Sequence, residues 1–259
     1  MKLSFQTYGK QVLKYLIQSS ALISYFVRLT YKKALKTRTW LIYGRNHIAP
    51  LNPYEILWID PEEIKHNSKH VVAVDNEHYC HVLEGDWDIG LSDFSEDKSD
   101  WYDFLENRFD NERKWEELQM YNEILQKIDS KGSYWHSCKS EEDVKKRCKS
   151  LDSLYKDIKN TGYLTNKEIW WEKDRTKIKP DDIAVNIGRN GEYIYENGKH
   201  RLSIALILEL EKIPVRVVVR HEKWQKKRDK IAKKDYHESF PNELSDYQDH
   251  PDIRNLIKR

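Results

Sequence analysis

The sequence predicts an α+β protein: a small mixed sheet interrupted by a helical insertion and preceded by an N-terminal helical arm. Three observations carry that prediction. Strand-length runs rich in β-branched and aromatic residues fall in two groups, near residues 58–83 and 183–219. Between them, apolar residues recur at helical spacing from Trp101 to Ile158. The first 54 residues combine apolar side chains with nine basic residues and no acidic one. The 259 residues are 39% hydrophobic, 34% charged and 12% aromatic, enough burial for a folded core despite the charge density. Nine Gly, seven Pro and three Cys exclude collagen-like and disulfide-rich classes, and an odd, sparse cysteine count suits a reducing, cytoplasmic interior.

The arm, residues 1–50, comes first. Val12 to Leu29 is apolar without Pro or Gly, flanked by Lys10 and Lys14 on one side and Arg28, Lys32 and Lys33 on the other. It reads as one helix of about 25 residues. It lacks a run of about 18 apolar residues, so it does not read as a membrane span. Two readings fit: packing on the body or on a second copy, or lying across residues 8–38 on the inner face of an anionic membrane.

The body is expected over residues 51–222. Trp58-Ile59-Asp60-Pro61 reads as a short strand and a turn, and Val71–Val74 and Tyr79–Leu83 as further strands. Glu84-Gly85-Asp86-Trp87-Asp88 places three carboxylates within five residues. Carboxylates that dense repel unless a cation sits between them, so Glu84, Asp86 and Asp88 are candidate metal ligands, with Asp86 or Asp88 also a candidate general base. A solvated acidic turn is the plain alternative. Trp87 is placed to stack on a base or to fill the core.

The insertion spans about 101–162. Trp101 to Ile128 reads as one helix closed by Lys131-Gly132, and Ser140 as the N-cap of a second helix that Gly162 stops. Cys148 falls on the apolar stripe of the second and reads as core.

The last third is the most specific. Ile183–Ile187 and Tyr193–Tyr195 read as a hairpin whose Asn190-Gly191 pair favours a tight primed turn. Glu196-Asn197-Gly198-Lys199-His200-Arg201 then leads into an apolar helix, and Val215–Val219 has the apolar density of a buried strand. A glycine lets backbone approach a ligand, and a helix start presents free N–H groups at a positive dipole end. Lys199, His200 and Arg201 add side-chain donors there, a pattern suited to a di- or triphosphate. The basic run Lys223–Lys234 opens a tail expected over 223–259.

Tyr195 to Leu206, followed by Ile213-Pro-Val-Arg-Val-Val-Val219, resembles the ParB N-terminal/sulfiredoxin superfamily over about residues 183–221. Members share a strand, a G-x-H-R or G-E-R-R turn, a helix with alanine on its inner face and a closing strand. The resemblance implies that Gly198, Lys199, His200 and Arg201 bind nucleotide phosphates. Lys199 stands where sulfiredoxin has cysteine, which argues against sulfinic-acid reduction. Lys-His-Arg in place of Glu-Arg-Arg argues against a ParB. The pattern is closest to the free-serine-kinase-like members. The implied activity is an ATP-dependent phosphotransferase acting on a hydroxyl of a small molecule, glycan or lipid-linked substrate. Its implied cofactors are ATP, or another nucleoside di- or triphosphate, and Mg2+. Asp86, Asp88 and Glu196 are the candidate catalytic carboxylates. The alternative is a nucleotide-switched nucleic-acid-binding protein or nuclease using the basic arm and tail. A zinc site from His66, His70, His78, Cys80 and His81 has the right ligand types, but its spacing matches no closed site.

Overall fold

The computed structural model describes residues 20–68, 71–72, 79–92, 99–172, 182–233 and 240–257. Among these the chain runs α1 (Ala21–Ile42), β1 (Ile56–Ile59), β2 (Ile64–Asn67), β3 (His81–Leu83), α2 (Ser99–Phe109), α3 (Gln119–Lys131), α4 (Glu141–Thr161) and α5 (Asn166–Glu172). It continues through β4 (Ile183–Ile187), β5 (Tyr193–Asn197), α6 (Lys199–Ile207), β6 (Ile213–His221), α7 (Glu222–Lys233) and α8 (Pro251–Ile257). The fold is mixed α+β around one mixed sheet in the order β1-β6-β4-β5-β2, with β3 also paired to β6. β6 is buried along its whole length. Its first half pairs with β1 antiparallel, its last three residues with β3 parallel, and β4 runs parallel on its other side. Val71 and Val72 lie outside any strand, and the rest of that expected run lies outside the described residues.

Strand alternation assigns the two faces. Ile183, Val185, Ile187, Tyr193, Tyr195, Val215 and Val217 enter the main core with α2, α3, α4 and α6. Ala184 and Val218 enter a smaller cluster with Val72, Val219, Leu83 and Trp87.

The expected single helix over 101–128 is two. α2 ends at Phe109 and α3 starts at Gln119, with a 3-10 turn at Trp115–Glu117 and Glu112 at φ +52 between them. Contacts with α4 explain the break. Asp152 accepts from Arg108 Nε at 3.1 Å and Trp115 Nε1 at 3.2 Å, and Phe109 stacks on Tyr155 at 4.0 Å. The apolar period persists because both halves face one core. Ser140 caps α4, its Oγ accepting from Asp143 N at 3.2 Å, and Gly132 and Gly162 end α3 and α4 with positive φ.

The described part of the arm packs on the body. Ser24, Leu35 and Thr39 of α1 are buried. Tyr43 Oη and His81 Nδ1 share a hydrogen bond of 2.8 Å, and the Arg38 guanidinium lies 4.8 Å over Tyr79. The arm's residues before Ser20 lie outside the described residues. Among the described residues no helix is long and apolar enough to cross a membrane.

The C-terminal segment is not a tail. Trp224, Ile231 and Ile253 join the main core. Asp252 of α8 accepts from Arg220 Nη2 at 2.7 Å, Arg220 Nε at 3.0 Å and Trp224 Nε1 at 2.9 Å, with Arg228 Nε at 3.2 Å. Lys226 pairs with Glu222 and Lys230 with Glu243, so much of the basic run is engaged within the fold.

Candidate functional site

The 198–201 turn is built by β5 returning beside β4 and stopping. Asn197 lies opposite Ala184, and Gly198 at φ +98 caps α6. A Cβ at Gly198 would stand 3.2 Å from Ile183 Cα. The glycine is therefore required by the approach of the turn to β4, where the sequence suggested room for a ligand.

Beyond Gly198 the side chains diverge, because residues two apart on a helix point about 200° from one another. His200 is buried. Trp135 Nε1 donates to its Nε2 at 3.4 Å, and the Trp101 ring meets it edge-on at 4.9 Å. Burial drives its pKa down to about 3, with Arg147, Lys199, His136 and Arg201 pushing the same way. His200 is thus a neutral packed ring, not the phosphate-binding cation expected. Lys199 places its ammonium 4.4 Å from the Trp101 ring centroid. Arg201 turns the other way and, with Asp182, Asn166 and Tyr163, lines a cavity of about 210 Å3.

Three features around this turn were not legible in the sequence. Arg147 of α4 brings a buried Nε that has no hydrogen-bond partner among the described residues. His136, opposite His200 at 5.7 Å, brings a further imidazole. Trp135, His136 and Ser137 take φ values of 41°, 59° and 64°, three consecutive non-glycine residues in the left-handed region. Each costs about 1–2 kcal/mol, and such strain marks functional segments. Here it holds the Trp135 ring on His200, in a loop closed by Tyr134 N donating to Cys138 O at 3.0 Å. The strongest electrostatic influences on His200 come from Arg147, Lys199, His136 and Arg201. Arg147, Lys199 and Arg201 thus bring positive charge to the first turn of α6 from two helices, while burial and the nearby cations hold the His136 imidazole towards its neutral form.

The acidic turn lies elsewhere. β3 ends beside His221 at the far end of β6, and the 188–192 loop follows Ile187 at the far end of β4. Gly198 packs at Ile183, so the length of β4, roughly 13 Å for four strand steps, separates the two motifs. Asp88 accepts from Arg189 N at 2.7 Å and from Arg189 Nη2 at 2.6 Å, and Asp86 from Arg189 Nη2 at 2.8 Å. Burial opposes the charge on Asp88, yet the Arg189 hydrogen bonds and nearby His221 hold its carboxyl below the usual range. The positive group between these carboxylates is a guanidinium. Glu84, Asp86 and Asp88 form no metal triad, and among the described residues no group of three or more His, Cys, Asp or Glu can hold a metal ion. Trp87 packs against the His221 ring at 5.8 Å.

Glu196 adjoins the turn in sequence but points to the opposite face of the sheet, since Tyr195 enters the core beneath α6. It accepts from Asn186 Nδ2 at 2.6 Å, and Asn186 Oδ1 accepts from Val219 N at 3.1 Å. It ties β4 and β5 together. His66 on β2 is separated from His81 on β3 by the β6, β4 and β5 strands, and Cys80 bonds to Val217 O, so these three form no zinc site. His70 and His78 lie outside the described residues. Comparison with family models, curated proteins and solved structures gave no match for this chain.

Proposed function

We propose that the chain is a nucleotide-dependent phosphotransferase that seats the terminal phosphates of ATP, or of a related nucleotide, at the first turn of α6. One observation carries the reading: Lys199 and Arg201 of α6, Arg147 of α4 and His136 all act electrostatically on His200 at one helix N-terminus. The resemblance to the free-serine-kinase-like members supports the same chemistry at the same turn. The cavity of about 210 Å3 beside Arg201, whose wall also carries Asp157 and Asp182, is below the roughly 300 Å3 at which sites for drug-sized molecules begin. Its size limits what enters beside Arg201 to a small group, with base and sugar outside it. Asp182, on the wall shared with Arg201, is the carboxylate assigned to the acceptor. It takes the proton from the acceptor hydroxyl as the new O–P bond forms and the bond to the leaving diphosphate breaks. Among the described residues no group of three or more His, Cys, Asp or Glu offers Mg2+ a ligand set.

Calorimetry across ATP, ADP, CTP and GTP tests the reading. At least one nucleotide is expected to bind, with Arg201→Ala and Arg147→Ala each weakening it about tenfold, the scale of one charge-assisted hydrogen bond. No binding to the intact chain, or indifference to both substitutions, ends the proposal. For the nucleic-acid alternative, Arg228 is buried, whereas Lys226 and Lys230 stay on the surface in exposed pairs with Glu222 and Glu243.

The reading includes peripheral attachment to an anionic membrane through the outer face of α1. Leu22, Phe26 and Trp40 are 70%, 58% and 53% exposed, and Lys33 and Lys36 lie between them on a helix without acidic residues. Flotation with vesicles containing phosphatidylserine is expected to carry wild-type protein but not Phe26→Glu/Trp40→Glu.

A further inference from the structure

We propose that the cleft between α1 and the β1/β6 edge of the sheet binds a phosphate-bearing molecule with an aromatic or apolar body. The cleft encloses about 700 Å3, within the several hundred that small-molecule sites occupy. Four cations line it: Arg28 and Lys32, one turn apart on α1, Lys167 at the start of α5, and Arg216 on β6. Arg216 is only 3% exposed, and its place is fixed by strand register with Ile56 on one side and Ala184 on the other.

Two carboxylates share the wall, and Asp182 also acts electrostatically on Arg28. Glu168 accepts from Thr165 N at 2.7 Å and Thr165 Oγ1 at 2.6 Å, and Asp182 accepts from Asn166 N at 2.6 Å. Four cations against two anions leave the lining positive. Burial lowers the pKa of Lys32, and Lys36, Arg28 and Lys167 lower it further, so these cations crowd one another. A dianion between them relieves that repulsion. The apolar part of the ligand has its own walls: Trp58, 45% exposed on β1, and Tyr54, which carries Lys32 at 5.4 Å. A dissolved phosphate ester and an anionic lipid headgroup present this same chemistry. The cleft shares Asn166 and Asp182 with the cavity at Arg201 but none of the α6 cations, so it adjoins the proposed nucleotide site through Asp182 while its own cations are separate.

The test uses the full chain and two probes: phenyl phosphate in calorimetry, and phosphatidylcholine vesicles with or without phosphatidic acid in flotation. At least one probe is expected to bind, about tenfold more weakly to Lys32→Glu and at least threefold more weakly to Trp58→Ala. Lys65→Glu, the same charge reversal on β2 at the opposite edge of the sheet, is expected to have the smaller effect. Phenyl phosphate binding assigns a soluble ester, and binding of phosphatidic acid vesicles alone assigns a headgroup. The proposal is overturned if neither probe binds or if Lys65→Glu matches Lys32→Glu. Lys32 and Trp58 are exposed, and unchanged melting of the variants confirms that folding is not what the probes report.

Discussion

His200 shows how one side chain can keep its place in a motif while its chemistry changes. In the sequence it stands between Lys199 and Arg201 and reads as a third cation. In the fold it accepts a hydrogen bond from Trp135 Nε1, which needs an unprotonated Nε2. Its folded pKa of about 3 lies below the ordinary value of 6.5. The unfolded chain therefore takes up a proton as pH falls through 6.5, and the folded chain does so only near 3. The stabilising difference is full at neutral pH and is lost as pH falls through that window. Between pH 6.5 and 5, wild type is expected to lose about 1.5 kcal/mol more stability than His200→Gln. Urea unfolding at the two values measures this. Equal losses would show that His200 is charged in the fold.

At the scale of elements, the β4–β5 hairpin shows what a turn dipeptide does and does not specify. Asn190-Gly191 favours a two-residue primed turn, which needs positive φ at both residues. Only Gly191 has it, at φ +94. Gly191 N donates to Gly188 O at 3.2 Å and Gly188 N to Glu192 O at 3.0 Å, so the loop is a three-residue type I turn closed by a glycine bulge. Tertiary contacts select it. Arg189 reaches the acidic turn, His250 Nε2 bonds Gly191 O at 2.9 Å, and Trp224 closes over the glycine. A Cβ at Gly191 would meet Trp224 Cζ3 at 2.8 Å, whereas one at Gly132, with φ +74, would meet nothing. Gly191→Ala is expected to cost about 2–4 kcal/mol, backbone strain plus overpacking. Gly132→Ala is expected to cost about 1 kcal/mol, strain alone. Denaturant midpoints compare the two, and equal costs would mean the Trp224 contact is not tight.

Across the whole molecule, the C-terminal helices are locked to the sheet by a buried charge cluster. Arg220, Arg228 and Asp252 are at most 1% exposed. Burial opposes the Asp252 charge, but the two guanidinium groups hold its carboxyl far below the usual range. Burial pushes Arg228 down to about 10 against the pull of Asp252. Removing one partner strands the others without water. Asp252→Asn is expected to cost about 3–5 kcal/mol and to release α8, read as a lower urea midpoint and faster hydrogen exchange at Ile253. A loss below about 1 kcal/mol, the range of surface pairs, would show the cluster to be hydrated.

Sequence by itself determined the elements whose causes are local. The caps at Ser140, Gly132 and Gly162, the buried β6 and the hairpin strands all follow from spacing and residue type. It also determined that basic residues open α6, because that depends only on neighbours along the chain. What the chain cannot encode locally is which charge meets which. Asp86 and Asp88 read as a vacant cation site until Arg189, about a hundred residues on, is folded between them. Arg147, His136 and Asp182 carried no motif, since each reaches the α6 corner from a different element. Tertiary structure alone decided these, because side-chain pairing depends on distances that only strand register and helix packing set. The same dependence gave His200 its neutral ring and placed the acidic turn at the opposite end of β4.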